Sequence, residues 1–269
     1  MAGHMTFKAY LRKNNLSENT IRSYLWTVDF FNTHYDGTTK ENLLAYKGYL
    51  TEIFKPATVN LRIQAINKYL DFLHKNKLHL KSVKVQGKNF MENVISNADY
   101  NFFKKRLKED GLYEWYFAVW YLTATGARVS ELIQIKAEHV DIGYIDLYTK
   151  GGKLRRIYIP KILREETRKW LNDTGKKSGY LFLNRYGERI TTRGVALQLK
   201  RYAEKYGLDL SVVYPHSFRH RFAKNFLQKC GDIALLADLM GHESIETTRI
   251  YLRRTTLEQQ AFIDELVTW

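Results

Sequence analysis

Residues 115–132 read WYFAVWYLTATGARVSEL, and this stretch says most about the fold. Its first 13 residues, 115–127, form the longest uncharged run in the chain. A membrane-spanning helix needs about 20 apolar residues, so we interpret the run as a helix buried in a globular core. The arginine that follows, Arg128, stands where this helix ends and the next one begins. The stretch therefore predicts a helical domain with an arginine at a buried junction.

Outward from this stretch, the spacing of apolar residues predicts more helices and one small sheet. Between Ile142 and Pro160 the period falls to two, and Ile145 and Ile157 lie on either side of a lysine-glycine turn. Such alternation around glycine predicts a β-hairpin. Helical spacing covers the region after residue 96 and then 161–173, 191–206, 216–229, 232–240 and a last segment near 256–266. This part of the chain is therefore mainly α with a small antiparallel β-sheet.

Four amphipathic helices are predicted ahead of this region. Apolar residues recur at helical spacing over 17–35, 39–54 and 56–74, and a short helix lies around 7–11. Ser17 is placed as an N-cap, and Pro56 stands at a helix start. Residues 75–92 lose the periodicity and carry five lysines, which indicates a basic linker or a solvated loop. We expect a four-helix domain over 5–84, a linker over 85–95 and a second domain over 96–269.

Charge and cysteine content narrow the class of protein. The chain has 269 residues with 43 Lys and Arg against 28 Asp and Glu, a formal net charge of +15. Such a surplus favours polyanionic partners. The single cysteine, Cys230, excludes an internal disulfide and cysteine-based zinc sites, and favours a reducing compartment. Lys8 near the start argues against a signal peptide, and residues 1–4 are interpreted as a cloning remnant before Met5.

The chain lacks the sequence motifs of nucleotide-driven, dinucleotide-binding and zinc-protease chemistry. What remains is a set of basic residues and one tyrosine. Arg128 is followed by Glu131, which is placed to hold its guanidinium, and alone this pair also fits a structural ion pair. His216 and Arg219 share one face at the start of a helix, where both can point at one anion. Taken alone, they also fit a capping histidine and a surface arginine.

Farther along, Gly241 ends a helix as a C-cap and His242 follows in the turn. Tyr251 comes nine residues after His242, and a tyrosine at such a position is usually a packing residue. These residues together nevertheless resemble the pattern of the tyrosine recombinase (phage integrase) family. That pattern is an arginine in a TGxRxSEL-like segment, a lysine in a hairpin turn, an HxxR box, a GH pair and a tyrosine. The sequence supplies it in order with Arg128, Lys150, His216, Arg219, His242 and Tyr251.

The resemblance covers nearly the whole chain and implies a fold and an activity. The expected fold is an N-terminal four-helix, SAM-like core-binding domain followed by a tyrosine recombinase catalytic domain. The implied enzyme is a site-specific recombinase that cuts one DNA strand by attack of Tyr251 and forms a 3′-phosphotyrosine. It uses no cofactor, no metal and no ATP. Position in the hairpin favours Lys150 over Lys153 as the lysine that protonates the 5′-oxygen.

The same resemblance assigns roles to the remaining residues. Arg128 and Arg219 are expected to bind the non-bridging phosphate oxygens, because forked guanidinium donors fit phosphate geometry. His216 and His242 are expected to hydrogen-bond the phosphate, and one of them helps to accept the tyrosine proton. Glu131 and His220 are expected to have supporting roles.

The partners implied are double-stranded DNA with a specific recombination site and further copies of the chain, as a dimer on one site and a tetramer in synapsis. No membrane partner is expected, and the location is the bacterial cytoplasm, at the nucleoid. A C-terminal helix after Tyr251 is expected to dock on a neighbouring protomer, with folding back on its own domain as the alternative. The cationic residues expected to contact DNA are Arg22, Lys47, Lys55, Arg62, Lys68, Lys84 and Lys88.

Two other functions are compatible with the same fold: a non-catalytic sequence-specific DNA-binding protein and a type IB topoisomerase. The complete set of six residues and the segment after Tyr251 favour the recombinase. The sequence leaves open whether the reaction serves integration, excision, inversion or dimer resolution.

Overall fold

The computed structural model describes residues 6–85, 93–148, 154–252 and 263–267. The chain divides into two compact units, Met1–Gly87 and Lys88–Trp269. The prediction of a mainly α chain with a small antiparallel sheet is confirmed. In the described part of the chain, no helix has the length and apolar character needed to cross a membrane.

The first unit contains four helices where apolar spacing predicts them. They are α1 (Phe7–Lys13), α2 (Glu18–His34), α3 (Lys40–Ile53) and α4 (Pro56–Phe72), followed by a 3-10 turn at Asn76–Leu78. Thr6, Ser17 and Thr39 cap the first three helices by accepting a backbone N–H with their hydroxyl oxygens. The core between the helices includes Phe31 and Tyr46, both fully buried.

Part of the segment predicted as a linker packs against α4. The amide of Asn67 donates to the Leu80 carbonyl at 2.9 Å and accepts from the Leu80 N–H at 2.8 Å. Asn60 makes the same pair of bonds with Val83, at 3.0 and 2.8 Å. Residues 80–83 are therefore held against the helix, because two asparagine side chains supply partners for their backbone groups.

The second unit is built around α6, the helix predicted from the uncharged run. Its buried positions surround the helix, so it lies in the core, between α5, α9 and α11. The elements are α5 (Asn97–Glu109), α6 (Tyr113–Thr125), α7 (Val129–Leu132), α8 (Ala137–Ile142), β1 (Tyr144–Tyr148), β2 (Leu154–Tyr158), α9 (Lys161–Asp173), α10 (Thr192–Lys205), α11 (Pro215–Cys230), α12 (Ile233–Met240), α13 (Ile245–Arg249) and a 3-10 turn at Ile250–Leu252. Residues 263–266 are also helical.

The predicted hairpin is confirmed as an antiparallel pair of β1 and β2, in which Ile145 faces Ile157 and Leu147 faces Arg155. Its turn, residues 149–153, lies outside the described residues, and so do both candidate lysines, Lys150 and Lys153. Residues 256–262 of the C-terminal helix predicted near 256–266 also lie outside them.

Candidate active site

The described candidate residues come from four separate places in the second unit. Arg128 stands between α6 and α7, His216 and Arg219 lie in the first turn of α11, His242 follows α12, and Tyr251 follows α13. Packing of α11 against α6 and α12, and of α12 against α13, brings these places together. Side-chain contacts then connect the residues into one cluster.

Arg128 is held at its junction by backbone geometry and by one carboxylate. Gly126 ends α6 with a positive φ of 62°, and a Cβ there would lie 2.4 Å from the Phe222 ring, so glycine is required. Arg128 Nη1 donates to Glu131 Oε1 at 2.9 Å, and the Arg128 N–H donates to Oε2 at 2.7 Å. Glu131 therefore binds both the side chain and the backbone of Arg128. The side chain of Arg128 keeps 33 % of its surface exposed, so it is open to a ligand.

Arg219 is the most enclosed of the predicted cations that the structure describes, with 3 % exposure. Its Nη1 donates to the Gly126 carbonyl at 2.6 Å, and its Nη2 donates to the Met240 carbonyl at 2.7 Å. Burial, together with the positive charge of Arg128, lowers its pKa to about 10. The guanidinium therefore remains charged at neutral pH and is fixed before any substrate arrives.

His242 is held in one tautomer by two partners. Arg219 Nη2 lies 3.1 Å from Nε2, and because a guanidinium only donates, Nε2 must accept. Nδ1 therefore carries the proton and donates to the Thr248 hydroxyl at 2.7 Å. Burial and the positive charge of Arg219 lower the pKa of His242 to about 4, so the ring is neutral at physiological pH.

Tyr251 is nine-tenths buried, and its hydroxyl lies 2.9 Å from Nδ1 of His220. Burial raises the pKa of the phenol, and the positive charges of Arg219 and Arg128 act in the opposite direction. Burial and the neighbouring His216 lower the pKa of His220 to about 4. A neutral imidazole with a free ring nitrogen at a phenol can accept its proton.

The histidines are thus arranged differently from the expectation. His220, expected only to support the site, is the residue at the tyrosine hydroxyl. His242 lies beside the tyrosine ring, with ring centroids 6.5 Å apart, but its two nitrogens bind Arg219 and Thr248. The His216 ring lies 6.2 Å from that of His220, and burial lowers its pKa. The spacing of α11 explains this, since residues 216, 219 and 220 share one face and the last of them points at Tyr251.

One cation of this cluster, Arg155 on β2, is absent from the sequence-based set. It is buried to 5 % exposure and contacts Glu131 and the Leu239 carbonyl. The alternation of buried and exposed residues along β2 could have identified it, because Arg155 lies two residues before the buried Ile157 and on the same face of the strand. Within the described residues, no group of three or more His, Cys, Asp or Glu side chains is arranged to hold a metal ion.

The cationic residues expected to contact DNA do not form one exposed set among the described residues. Arg62 is turned inward, where it donates to the Thr27 hydroxyl at 2.7 Å and covers the Trp26 ring at 4.2 Å, so its role there is structural. Lys55 and Lys84 are exposed. The others have local partners or lie outside the described residues: Lys47 with the Lys81 carbonyl, Lys68 with Asp71, Arg22 with Asn19, and Lys88 undescribed.

Comparison with known proteins identifies the family. The phage integrase family matches residues 93–258. The tyrosine recombinase XerA of Pyrococcus furiosus is 30% identical over 261 residues, which cover 93% of this chain and 88% of the relative. The tyrosine recombinase XerD of Listeria monocytogenes is 26% identical over a match that covers 91% of this chain and 91% of the relative.

Solved structures share the fold. The Tn1549 transposon integrase in complex with circular intermediate DNA superposes with a TM-score of 0.74 at 18% identity, covering 97% of this chain and 98% of that one. A crystal structure of a XerA recombinase superposes with a TM-score of 0.55 at 22% identity, covering 96% of this chain and 95% of that one. Since the family match spans more than half of the sequence and XerA is related over nearly all of it, the chain belongs to the phage integrase family and is a tyrosine recombinase, an enzyme of site-specific recombination.

Proposed function

We propose that this recombinase cleaves and rejoins double-stranded DNA at a specific recombination site through a covalent 3′-phosphotyrosine at Tyr251. The observation that carries the proposal is the position of the Tyr251 hydroxyl, 2.9 Å from a neutral histidine and within a cluster of fixed arginines. A buried phenol of raised pKa is a poor nucleophile until a base takes its proton. His220 is that base, and the charges of Arg128 and Arg219 make the electrostatic potential at the site positive.

The proposed reaction is a transesterification. The Tyr251 oxygen attacks phosphorus, the bond from phosphorus to the 5′-oxygen breaks, and the phenol proton passes to Nδ1 of His220. The leaving 5′-oxygen takes a proton from Lys150, the hairpin lysine that the family resemblance indicates. Because the phosphotyrosine conserves the energy of the broken ester, rejoining reverses the same steps without ATP.

The two arginines are proposed to bind the non-bridging oxygens of the scissile phosphate. Fixed guanidinium groups stabilise the charge that develops on those oxygens in the transition state. About one third of the Arg128 side-chain surface is exposed, which supports its contact with the phosphate. Arg219 supports the role because it is a fixed and buried positive charge. Most of the remaining affinity for DNA is then electrostatic, from a chain with a net charge of +15, and falls steeply with salt.

DNA as the partner has support from related structures. The Tn1549 integrase and a XerH recombinase were both solved in complex with DNA. We propose the same partner for this chain, on nucleoid DNA in the cytoplasm, with exposed lysines such as Lys55 and Lys84 contributing to backbone contacts.

We further propose that copies of the chain act together, as a dimer on one site and a tetramer in synapsis. A cleft of about 1110 Å³ lies between the β-hairpin and α12 and reaches the catalytic arginine cluster. Leu147, Leu154 and Leu235 contribute apolar lining. Ile263 and Leu266 of the C-terminal segment are exposed. An apolar segment after the nucleophile fits such a cleft on a neighbouring copy, which would make cleavage depend on assembly.

The proposal is tested by covalent capture on a library of random DNA duplexes. The protein is incubated with the library and denatured, and the DNA that stays attached to protein is sequenced. Wild type is expected to enrich one site, and Tyr251→Phe is expected to yield no adduct while still retaining the site in a native binding assay. The matched control is Tyr202→Phe, a tyrosine packed against Trp115 in the same unit.

Each other outcome contradicts a part of the proposal. Adducts with Tyr251→Phe would assign the nucleophile to another residue. Selective retention without any adduct in wild type would indicate a non-catalytic DNA-binding protein. Adducts without sequence preference, with relaxation of any supercoiled plasmid, would indicate a type IB topoisomerase.

A further inference from the structure

Arg155 lies where a strand usually carries an apolar residue. It occupies the buried phase of β2, in line with Ile157, and keeps 5 % of its surface exposed. A buried arginine is costly unless its donors are paired with acceptors. Of its two hydrogen-bond partners, Glu131 also holds Arg128, and Leu239 directly precedes the two residues whose carbonyls hold Arg219 and Arg128.

One side of the guanidinium reaches Glu131. Arg155 Nη1 donates to Oε1 of Glu131, the same oxygen that accepts from Arg128 Nη1 at 2.9 Å. Arg219 Nη1 lies 3.9 Å from the other carboxylate oxygen. One buried carboxylate thus faces three guanidinium groups, and only one of the three lies on a strand. Because Glu131 is shared, displacing Arg155 changes the position and charge balance of the group that holds Arg128.

The other side reaches the end of α12. The last carbonyl groups of a helix have no partners within the helix. Three consecutive carbonyls here each accept from a different arginine: Leu239 from Arg155 at 2.9 Å, Met240 from Arg219 at 2.7 Å and Gly241 from Arg128 at 3.0 Å. The helix end and its negative dipole therefore arrange the three cations in a row.

Gly241 allows this close approach. It has a φ of +60°, and a Cβ at this position would lie 2.4 Å from Cδ of Arg155. His242 follows directly, so the arginine stem packs against the turn that leads to a catalytic histidine. Arg155 therefore connects the hairpin strand, Glu131 and the α12 turn.

We propose that Arg155 is a positioning residue for the recombination reaction: it holds Glu131 and the end of α12 so that Arg128 presents its guanidinium to the scissile phosphate. The inference rests on the proposed function for its catalytic readout. Arg155 itself stays buried behind Glu131 and does not touch the substrate. A lysine at this position can reach the carboxylate or the carbonyl but has no planar fork to bind both.

The first test needs no DNA, so it is independent of the proposed function. Rotation of arginine guanidinium groups is followed by nitrogen NMR in wild type, Arg155→Lys and Arg155→Met. The matched control is Arg156→Met, because the neighbouring Arg156 lies on the exposed face of β2 and binds Asp146 instead. We expect the Arg128 signal to lose its restricted rotation in both Arg155 variants and to keep it in the control. An unchanged Arg128 signal overturns the proposal.

The second test separates binding from chemistry on the captured site. We expect Arg155→Met to cleave a nicked suicide substrate about 100-fold more slowly, the cost of a small misplacement of a catalytic group. Affinity for the same DNA in the Tyr251→Phe background should change less than twofold, and Arg155→Lys should lie between. Equal losses of affinity and cleavage would overturn the positioning role. Thermal unfolding is measured alongside, and if Arg155→Met does not fold, Arg155→Lys carries the test.

A substrate with an uncharged phosphate analogue distinguishes positioning of Arg128 from a purely structural role of Arg155. A methylphosphonate at the scissile position lacks the charge that Arg128 is placed to offset. The ratio of wild-type to Arg155→Met cleavage rates should therefore shrink on this substrate, as it should for Arg128→Ala. A ratio that stays the same on both substrates means that Arg155 only stabilises the fold.

Discussion

The hydroxyl of Tyr251 lies 2.9 Å from Nδ1 of His220, the residue that directly follows Arg219. One turn of α11 therefore provides both the arginine proposed to bind the phosphate and the group at the proposed nucleophile. The tyrosine comes from a different element, the 3-10 turn at Ile250–Leu252, so its reactivity depends on how that turn packs against α11. A small shift of the turn would break the contact without unfolding the domain.

His220→Gln is expected to slow cleavage by about 100-fold or more, since a positioned general base contributes about 100- to 10,000-fold. DNA affinity should be retained. Single-turnover cleavage of a suicide substrate measures the rate. The control is His216→Gln on the same face of α11. A larger loss for His216→Gln would move the base role to His216.

Stability should fall on acidification because His220 and His242 both have pKa values lowered to about 4. In the unfolded chain a histidine titrates near 6.5. Between these values the unfolded state binds protons that the folded state excludes, so the free energy of unfolding is full above pH 6.5 and decreases as pH falls toward 4. Chemical denaturation across this range in wild type and in the His220→Gln, His242→Gln double variant measures it. An equal slope in both proteins would contradict the assignment.

Thr248→Val removes the acceptor that holds the Nδ1 proton of His242. The threonine is fully buried, and valine has nearly the same shape. Leaving the imidazole N–H without a partner costs about 1–3 kcal/mol, while Arg219 still requires Nε2 to accept. We expect slower cleavage and an Nδ1–H proton of His242 that exchanges faster with water in the proton-NMR spectrum. Thr247→Val, on the exposed neighbour, is the control and should change neither.

Arg62→Ala should destabilise the first unit rather than weaken DNA binding selectively. The side chain binds the Thr27 hydroxyl and covers Trp26, and the loss of a hydrogen bond and a cation–π contact corresponds to about 1–2 kcal/mol. Lys55→Ala, at an exposed helix start, is expected to weaken DNA binding and to leave the free energy of unfolding unchanged. Urea unfolding and a salt-dependent binding assay on both variants test this. A stable Arg62→Ala protein with reduced DNA affinity would return Arg62 to the DNA-binding group.

The pattern of amino acids alone predicts the helices, the hairpin and most members of the candidate site. Periodicity located α6 and the four N-terminal helices because burial of one face or of a whole helix leaves a regular apolar pattern. Glycine marked the end of α12 at Gly241 because the backbone there needs a positive φ. The order of Arg128, His216, Arg219, His242 and Tyr251 identified the family since the chemistry needs these groups at local positions that a pattern can describe.

The contacts between these groups follow from the packing of segments that are distant along the chain. His220 rather than His216 or His242 lies at the tyrosine because the packing of α11 against the turn after α13 sets that distance. Arg155 joins the site because the Leu239 carbonyl and the Glu131 carboxylate converge on it from positions 84 and 24 residues away along the chain. Arg62 turns inward because α2 provides a hydroxyl and an indole. Contacts between distant segments leave no periodic signal in the sequence, since each partner alone is compatible with an ordinary surface or core position.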